Sequence, residues 1–211
     1  MKYKIICFYL AIVCMGFIHQ GCTPVHHLTH YTVGSQVWMS KNADVDKFRN
    51  GDIITYAKNY EMWQKAQGTK QPAYCYFNFD ENNGIVYGKL YNWYAVNDPR
   101  GLAPSGYHVP SNEEWQVLID SLGGNKIAGE SLGSNFDGSN KNKNSGFMPL
   151  FGGRCGYYSG FYDLGLIGYW WSSTESDEGS AWLRYLKQSD NEIYMVNNYK
   201  SGGYSVRFLK D

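Results

Sequence analysis

The chain has 211 residues, enough for one domain or two small ones, and its 19 basic residues balance its 19 acidic ones. That balance excludes the basic excess a nucleic-acid partner needs and the acidic run of a solvating tail. With 24 Gly, 19 Tyr and 7 Trp against only 18% charged residues, the composition favours short strands, turns and ordered loops over a helical bundle.

In chain order, residues 1–21 read as an export signal. Lys2 and Lys4 make a positive start, and Ile5 to Ile18 is a nearly unbroken apolar run. That run is shorter than the ~20 residues a bilayer span needs, but it fits the core of a signal peptide. Gly21-Cys22 closes it as a lipoprotein processing site does, which makes Cys22 the expected lipidation site; two or three acyl chains there form a stable anchor. His19 and Gln20 depart from the usual processing pattern. An ordinary cleaved secretory signal and an uncleaved anchor are the alternatives, and all three place the domain outside the cytoplasm. Loss of Lys2 and Lys4 leaves 17 basic residues against 19 acidic. Residues 22–32 read as a tether, with His26, His27 and His30 solvated in it rather than holding a metal. Residues 33–211 form the domain.

Within the domain, Gly34 to Met39 alternates as a half-buried strand does, and Ile53, Ile54 and Tyr56 follow the Gly51-Asp52 turn as a second strand. Asn59 to Gln67 can hold a short helix. Ala73 to Phe79 reads as a buried strand, Asp80 to Gly84 as a turn, and Tyr87 to Val96 as a deeply packed helix or strand. Pro110 to Leu122 carries the strongest local signal. Ser111 and Glu114 make a capping box, Trp115, Leu118, Ile119 and Leu122 share one helical face, and Gly123-Gly124 ends the helix. Ser131 to Ser145 is a polar surface loop and Gly156 to Gly168 a long aromatic one. Tyr169 to Ser173 is a core strand. Ala181 to Lys187, Glu192 to Val196 and Tyr204 to Leu209 finish as a meander. Trp38, Trp93, Trp115, Trp170 and Trp171 sit in patterned elements and belong to the core.

Cys7 and Cys14 leave with the signal, so Cys75 and Cys155 remain in the domain. An even pair in an oxidising compartment is either a disulfide or two separate buried thiols.

The segments YGKLYNWYAV (87–96), GYHVPSNEEWQVLI (106–119), SGFMPLFGG (145–153), GYWWSST (168–174) and SVRFLKD (205–211) together resemble the Fibrobacter succinogenes major paralogous domain, from about Gly34 to Asp211. HVPSNEEW and the terminal G-x-S-V-R strand also look like the formylglycine-generating, sulfatase-modifying group. That resemblance implies an α+β, C-type-lectin-like fold of small antiparallel sheets, one or two helices and long ordered loops. No cysteine follows Cys155, where the catalytic cysteine pair of those enzymes would lie. Many members of the paralogous-domain family end in an Arg-Cys pair, whereas here Phe208 follows Arg207. If that cysteine pairs with the position of Cys75, the bridge is lost here.

No catalytic constellation emerges. His108 lies just ahead of the capping box, where a structural role outweighs that of a general base. Ser172 and Ser173 lack a nucleophile turn. Asp80, Glu81, Asp137, Asp163, Glu175, Asp177 and Glu178 form no pair of fixed spacing for glycoside cleavage. No cofactor is expected; calcium at Asp80–Asn83 or Glu175–Glu178 would lack a specific motif. The surplus is aromatic. Tyr157, Tyr158, Phe161 and Tyr162, beside Arg154 and Asp163, are the expected ligand-binding set.

The resulting expectation is an envelope lipoprotein, at the outer membrane and on either its periplasmic or surface face, that recognises a glycan or a protein. A sulfatase-modifying or glycosidase-type enzyme and a structural subunit of an envelope assembly are the rivals.

Overall fold

Four small sheets and five short helices are stitched together by the last strand of the chain, in a computed structural model that describes residues 30–133, 147–156 and 160–211. The export signal, Cys22, Asp137, Tyr157 and Tyr158 lie outside the described residues. The class is α+β, mostly sheet, with five helices where one or two were expected.

The first sheet has the order β1-β2-β12-β6, from β1 (His30–Val33), β2 (Gln36–Met39), β12 (Leu209–Lys210) and β6 (Tyr107–His108). Strand β1 lies partly in the span expected as a tether, and its His30 hydrogen-bonds the Tyr107 hydroxyl. The second sheet, β11-β10-β9, joins β9 (Ile167–Glu175), β10 (Ser180–Lys187) and β11 (Ile193–Tyr199), the expected core strand and the first two strands of the expected meander; its third, Tyr204 to Leu209, leaves this sheet and ends in the first one. The third combines β3 (Thr55–Tyr56), β4 (Ala73–Cys75) and β5 (Leu90–Tyr91), with β3 parallel to β4. A ribbon pairs β7 (Gly152–Cys155) with β8 (Phe161–Leu164), so the aromatic stretch expected as a loop is half of a hairpin.

Helix α1 (Tyr60–Gly68) begins where Asn59 accepts a hydrogen bond from the Met62 amide, and buries Trp63 and Ala66. The expected strand 73–79 stops at Cys75; Phe77–Phe79 is a 3-10 turn with Asn78 at φ 56° and Phe79 at φ 57°. Instead of a turn at Asp80–Gly84, Asp80 caps helix α2 (Glu81–Tyr87). Helix α3 (Trp93–Val96) follows β5, and α4 (Asn112–Ser121) has both arms of its capping box in place. Gly123 and Gly124, at φ 99° and 95°, end α4 and lead into α5 (Asn125–Leu132), which takes the start of the expected polar loop.

All five expected core tryptophans are buried. Strand β9 separates two cores by simple alternation. Trp170 faces Trp38, Trp115 and Phe147, while its neighbour Trp171 faces Tyr91, Leu183 and Tyr204. A third core holds Ala57, Trp63, Cys75, Phe77 and Cys155.

Ser201 to Leu209 is buried throughout and touches every sheet. Gly203 bridges Cys155, Tyr204 bridges Tyr91, Ser205 bridges Trp170, and Leu209 pairs with Trp38 and His108. Arg207 anchors this segment. Its guanidinium donates to the carbonyls of Met39 (3.2 Å), Ser40 (2.5 Å) and Met148 (2.9 Å) and to Asn42 Oδ1 (2.8 Å), and lies 4.1 Å from the Phe147 ring centre. Burial pulls its pKa down to about 9, so it stays charged at neutral pH, and no carboxylate pairs with it among the described residues. Asn42 completes the hub. Oδ1 also accepts from Trp170 Nε1 (2.8 Å), and Nδ2 donates to the Tyr87 carbonyl (2.9 Å) and Ser205 Oγ (3.2 Å). Asn42→Leu keeps the branched shape but removes one of the four acceptors around a buried guanidinium and leaves the Trp170 indole N–H without its partner. We expect it to cost about 3–5 kcal/mol in urea unfolding; a loss below ~1 kcal/mol would show that the hub is not structural.

Candidate functional site

The expected ligand set is mostly used by the fold itself. Arg154 pairs with Asp163 (Nε to Oδ2, 3.2 Å), and the same Asp163 oxygen accepts from the Tyr169 hydroxyl at 2.8 Å. The guanidinium lies 5.3 Å from the Tyr162 ring centre and 5.4 Å from that of Tyr169. Phe161 packs edge-on against Phe79 and tilted against Phe77, within the third core. Among the described members of this group, Tyr162 is the exposed one, at 50%. The ribbon thus presents one tyrosine face over a neutralised arginine.

The turns considered for calcium are also committed. Asp80 Oδ1 accepts from the Asn82 amide and side chain, Glu175 pairs with Lys200, and Asp177 accepts from the Gly179 amide. No group of three His, Cys, Asp or Glu side chains converges among the described residues. Ser172 is fully buried, with its hydroxyl accepting from the Thr174 amide.

A further opening lies elsewhere. A cleft of about 890 Å³ is lined by Gln64, Gln67, Gly68, Lys70, Tyr94, Gly179, Tyr199 and Ser201, within the size range of small-ligand sites. Four separate segments build it. The exposed side of α1 supplies the glutamines because Trp63 and Ala66 take the buried side. Lys70 sits just beyond the helix with φ 55°, and Tyr199, 59% exposed, ends β11. Gln67 Nε2 donates to the Ser201 carbonyl (3.0 Å) and Gln64 Nε2 to the Tyr60 hydroxyl (2.8 Å), so both amides are held by the frame. Between the lining residues Tyr199 and Ser201 in the chain, Lys200 is buried, 4.8 Å from the Trp93 ring centre and tied to Glu175 and the Glu178 carbonyl. Among the described residues the lining offers amides, phenols, a hydroxyl and one ammonium, and no carboxylate. Sequence reasoning missed it because its residues span more than a hundred positions; the Gln64–Gln67 spacing on one helix face was the only local sign.

The fold and these surfaces define an α+β domain of small sheets tied by a buried terminal strand. A family model described as Fibrobacter succinogenes major domain (Fib_succ_major) matches residues 32–210, and the chain belongs to that family. No curated protein and no solved structure matches it.

His108 is structural in its contacts. Nδ1 meets Asp211 Oδ1 at 2.7 Å and Nε2 meets Glu114 Oε1 at 2.9 Å, while Glu114 Oε2 accepts from the Ser111 amide. The ring ties β12 to the start of α4. Partial burial opposes its charge, but the hydrogen bonds to Asp211 and Glu114 outweigh this and raise its pKa above the usual 6.5. A raised pKa adds stability below the unfolded value and loses it as the pH climbs through the folded one. In urea unfolding from pH 6 to 8.5, the wild type should therefore lose stability relative to His108→Gln. An imidazole that titrates at or below 6.5 by NMR would contradict this.

Proposed function

We propose that this protein is an exported lipoprotein, anchored through Cys22 in the cell envelope at the outer membrane, whose C-type-lectin-like domain recognises a neutral glycan without catalysis. The observation that carries the reading is the lining of the cleft. Side-chain amides hydrogen-bond sugar hydroxyls in both directions, and the apolar faces of Tyr94 and Tyr199 suit stacking on pyranose rings. The amides are already braced by the Ser201 carbonyl and the Tyr60 hydroxyl, which lowers the ordering cost of binding. Glycoside cleavage requires two carboxylates flanking the bond, and among the described residues the cleft lining supplies none. This favours binding over a glycosidase. The lipid anchor is supported by the Gly21-Cys22 junction after the apolar run. No described helix is long and apolar enough to cross a membrane.

A protein partner is the second reading, favoured by the exposure of Tyr162 above the Arg154–Asp163 pair. Aromatic rings beside arginine are enriched where proteins meet.

Titration calorimetry of the detergent-solubilised chain with neutral hexose oligosaccharides separates these readings. Tyr199→Ala and Gln67→Ala should each weaken sugar binding about tenfold or more, equivalent to losing one stack or one held hydrogen bond. Tyr162→Ala should leave it unchanged. Loss with Tyr162→Ala alone would move the site to the β7–β8 ribbon. Hydrolysis of any oligosaccharide in the panel would overturn the non-catalytic reading.

A further inference from the structure

Cys75 and Cys155 are separated by roughly 80 residues of chain, and each closes its strand, Cys75 at the end of β4 and Cys155 at the end of β7. Backbone pairing runs between them in steps. Cys75 opposes Leu90, Tyr91 bridges Tyr204, and Gly203 bridges Cys155. Were that path a flat sheet, three strand spacings of about 4.8 Å each would hold the two cysteines well apart. Both side chains nevertheless belong to one buried cluster, the third core, with Ala57, Trp63, Ala66, Ala73 and Leu90. Both are free thiols in the structure, and neither has any solvent exposure.

Nothing else in this pocket explains the pair. No described cluster of three metal-binding side chains includes them, so a thiolate metal site has too few ligands. Nucleophilic chemistry needs an accessible thiolate, and neither sulfur-bearing side chain reaches solvent. Burial and the neighbouring thiol push the Cys75 pKa well up, which keeps it protonated.

We propose that Cys75 and Cys155 form a disulfide in the exported protein, a covalent tie between the third sheet and the β7–β8 ribbon. The reaction joins the two sulfurs by one S–S bond. Each thiol gives up one proton and one electron, and an external thiol–disulfide oxidoreductase accepts both pairs as its own disulfide becomes two thiols. Because the folded site is closed to solvent, the exchange takes place during folding, before the third core seals. The bridge would hold the ribbon bearing Arg154 and Tyr162 against the 3-10 turn at Phe77–Phe79. It rests on the exported reading for its oxidant and on the geometry alone for its pairing.

The test uses the full chain, expressed with its own leader in a bacterium that has an oxidising periplasm. Membranes and cytoplasm are separated and each is denatured in urea with iodoacetamide before any reduction. Peptide mass spectrometry of the membrane fraction should find the Cys75 and Cys155 peptides linked, with dithiothreitol releasing them at a gain of about 2 Da. Both thiols carrying the alkyl group in envelope-located protein would overturn the proposal. A second arm refolds reduced, purified chain from urea in glutathione and glutathione disulfide. Bridging there alone, with reduced chain confined to the cytoplasm, would sink the export reading and keep the pairing. Failure to bridge in this arm would sink the pairing whatever the compartment. The bridged form should melt about 10 °C above the reduced form, as expected for closing so long a loop, and Cys75→Ala with Cys155→Ala should melt with the reduced form.

Discussion

A buried cation with no counter-ion among the described residues sets the terms for this fold. Arg207 must be solvated by protein, and the acceptors that do it come from Met39, Ser40, Asn42 and Met148, distant in sequence. An uncompensated guanidinium is too costly to bury. The N-terminal segment, the 147–151 segment and the terminal strand are therefore required to meet at one place. Asn42 adds a second constraint, since its one side chain serves Arg207, Trp170, Ser205 and Tyr87. Hydrophobic burial supplies the bulk of the stabilisation but is indifferent to register. The polar hub selects which of many compact aromatic arrangements is adopted.

From that anchor the terminal strand distributes position to the rest of the molecule. Tyr204 lies between Tyr91 and Trp171, with its ring centre 4.6 Å from that of Trp171. Lys200 and Ser201, at the entry to this strand, fix one wall of the cleft through Glu175, Trp93 and Gln67. The cleft thus joins α1, α3 and β11 at a place where the backbone is already committed.

Legibility in the sequence followed the range of the interactions. Helix α4 was plain because Ser111, Glu114 and the Trp115-Leu118-Ile119 face act within three or four residues of one another. The β10–β11 meander and the five buried tryptophans were legible for the same reason. Helix α2 was not. Asn82, Asn83 and Gly84 are poor helix formers, and tertiary packing overrides them: a β-carbon on Gly84 would fall 2.2 Å from the Tyr76 ring, so close approach requires glycine there. The β7–β8 ribbon hid behind its glycines, and α5 followed so soon after a double-glycine stop that most of it carried no assignment. The cleft left almost no trace, since Gln64, Tyr94, Gly179 and Tyr199 are ordinary surface residues until the terminal strand gathers them.

The central claim is that a rigid scaffold presents the α1–β11 cleft as a sugar-binding surface. Hydrogen–deuterium exchange of the intact chain, with and without saturating neutral hexose oligosaccharide, tests it most directly. The account predicts new protection confined to the peptides covering Gln64–Lys70, Tyr94 and Tyr199–Ser201, against a background in which Ser201–Leu209 is already among the slowest segments. Protection elsewhere with none in these peptides, or a fast-exchanging terminal strand, would contradict it.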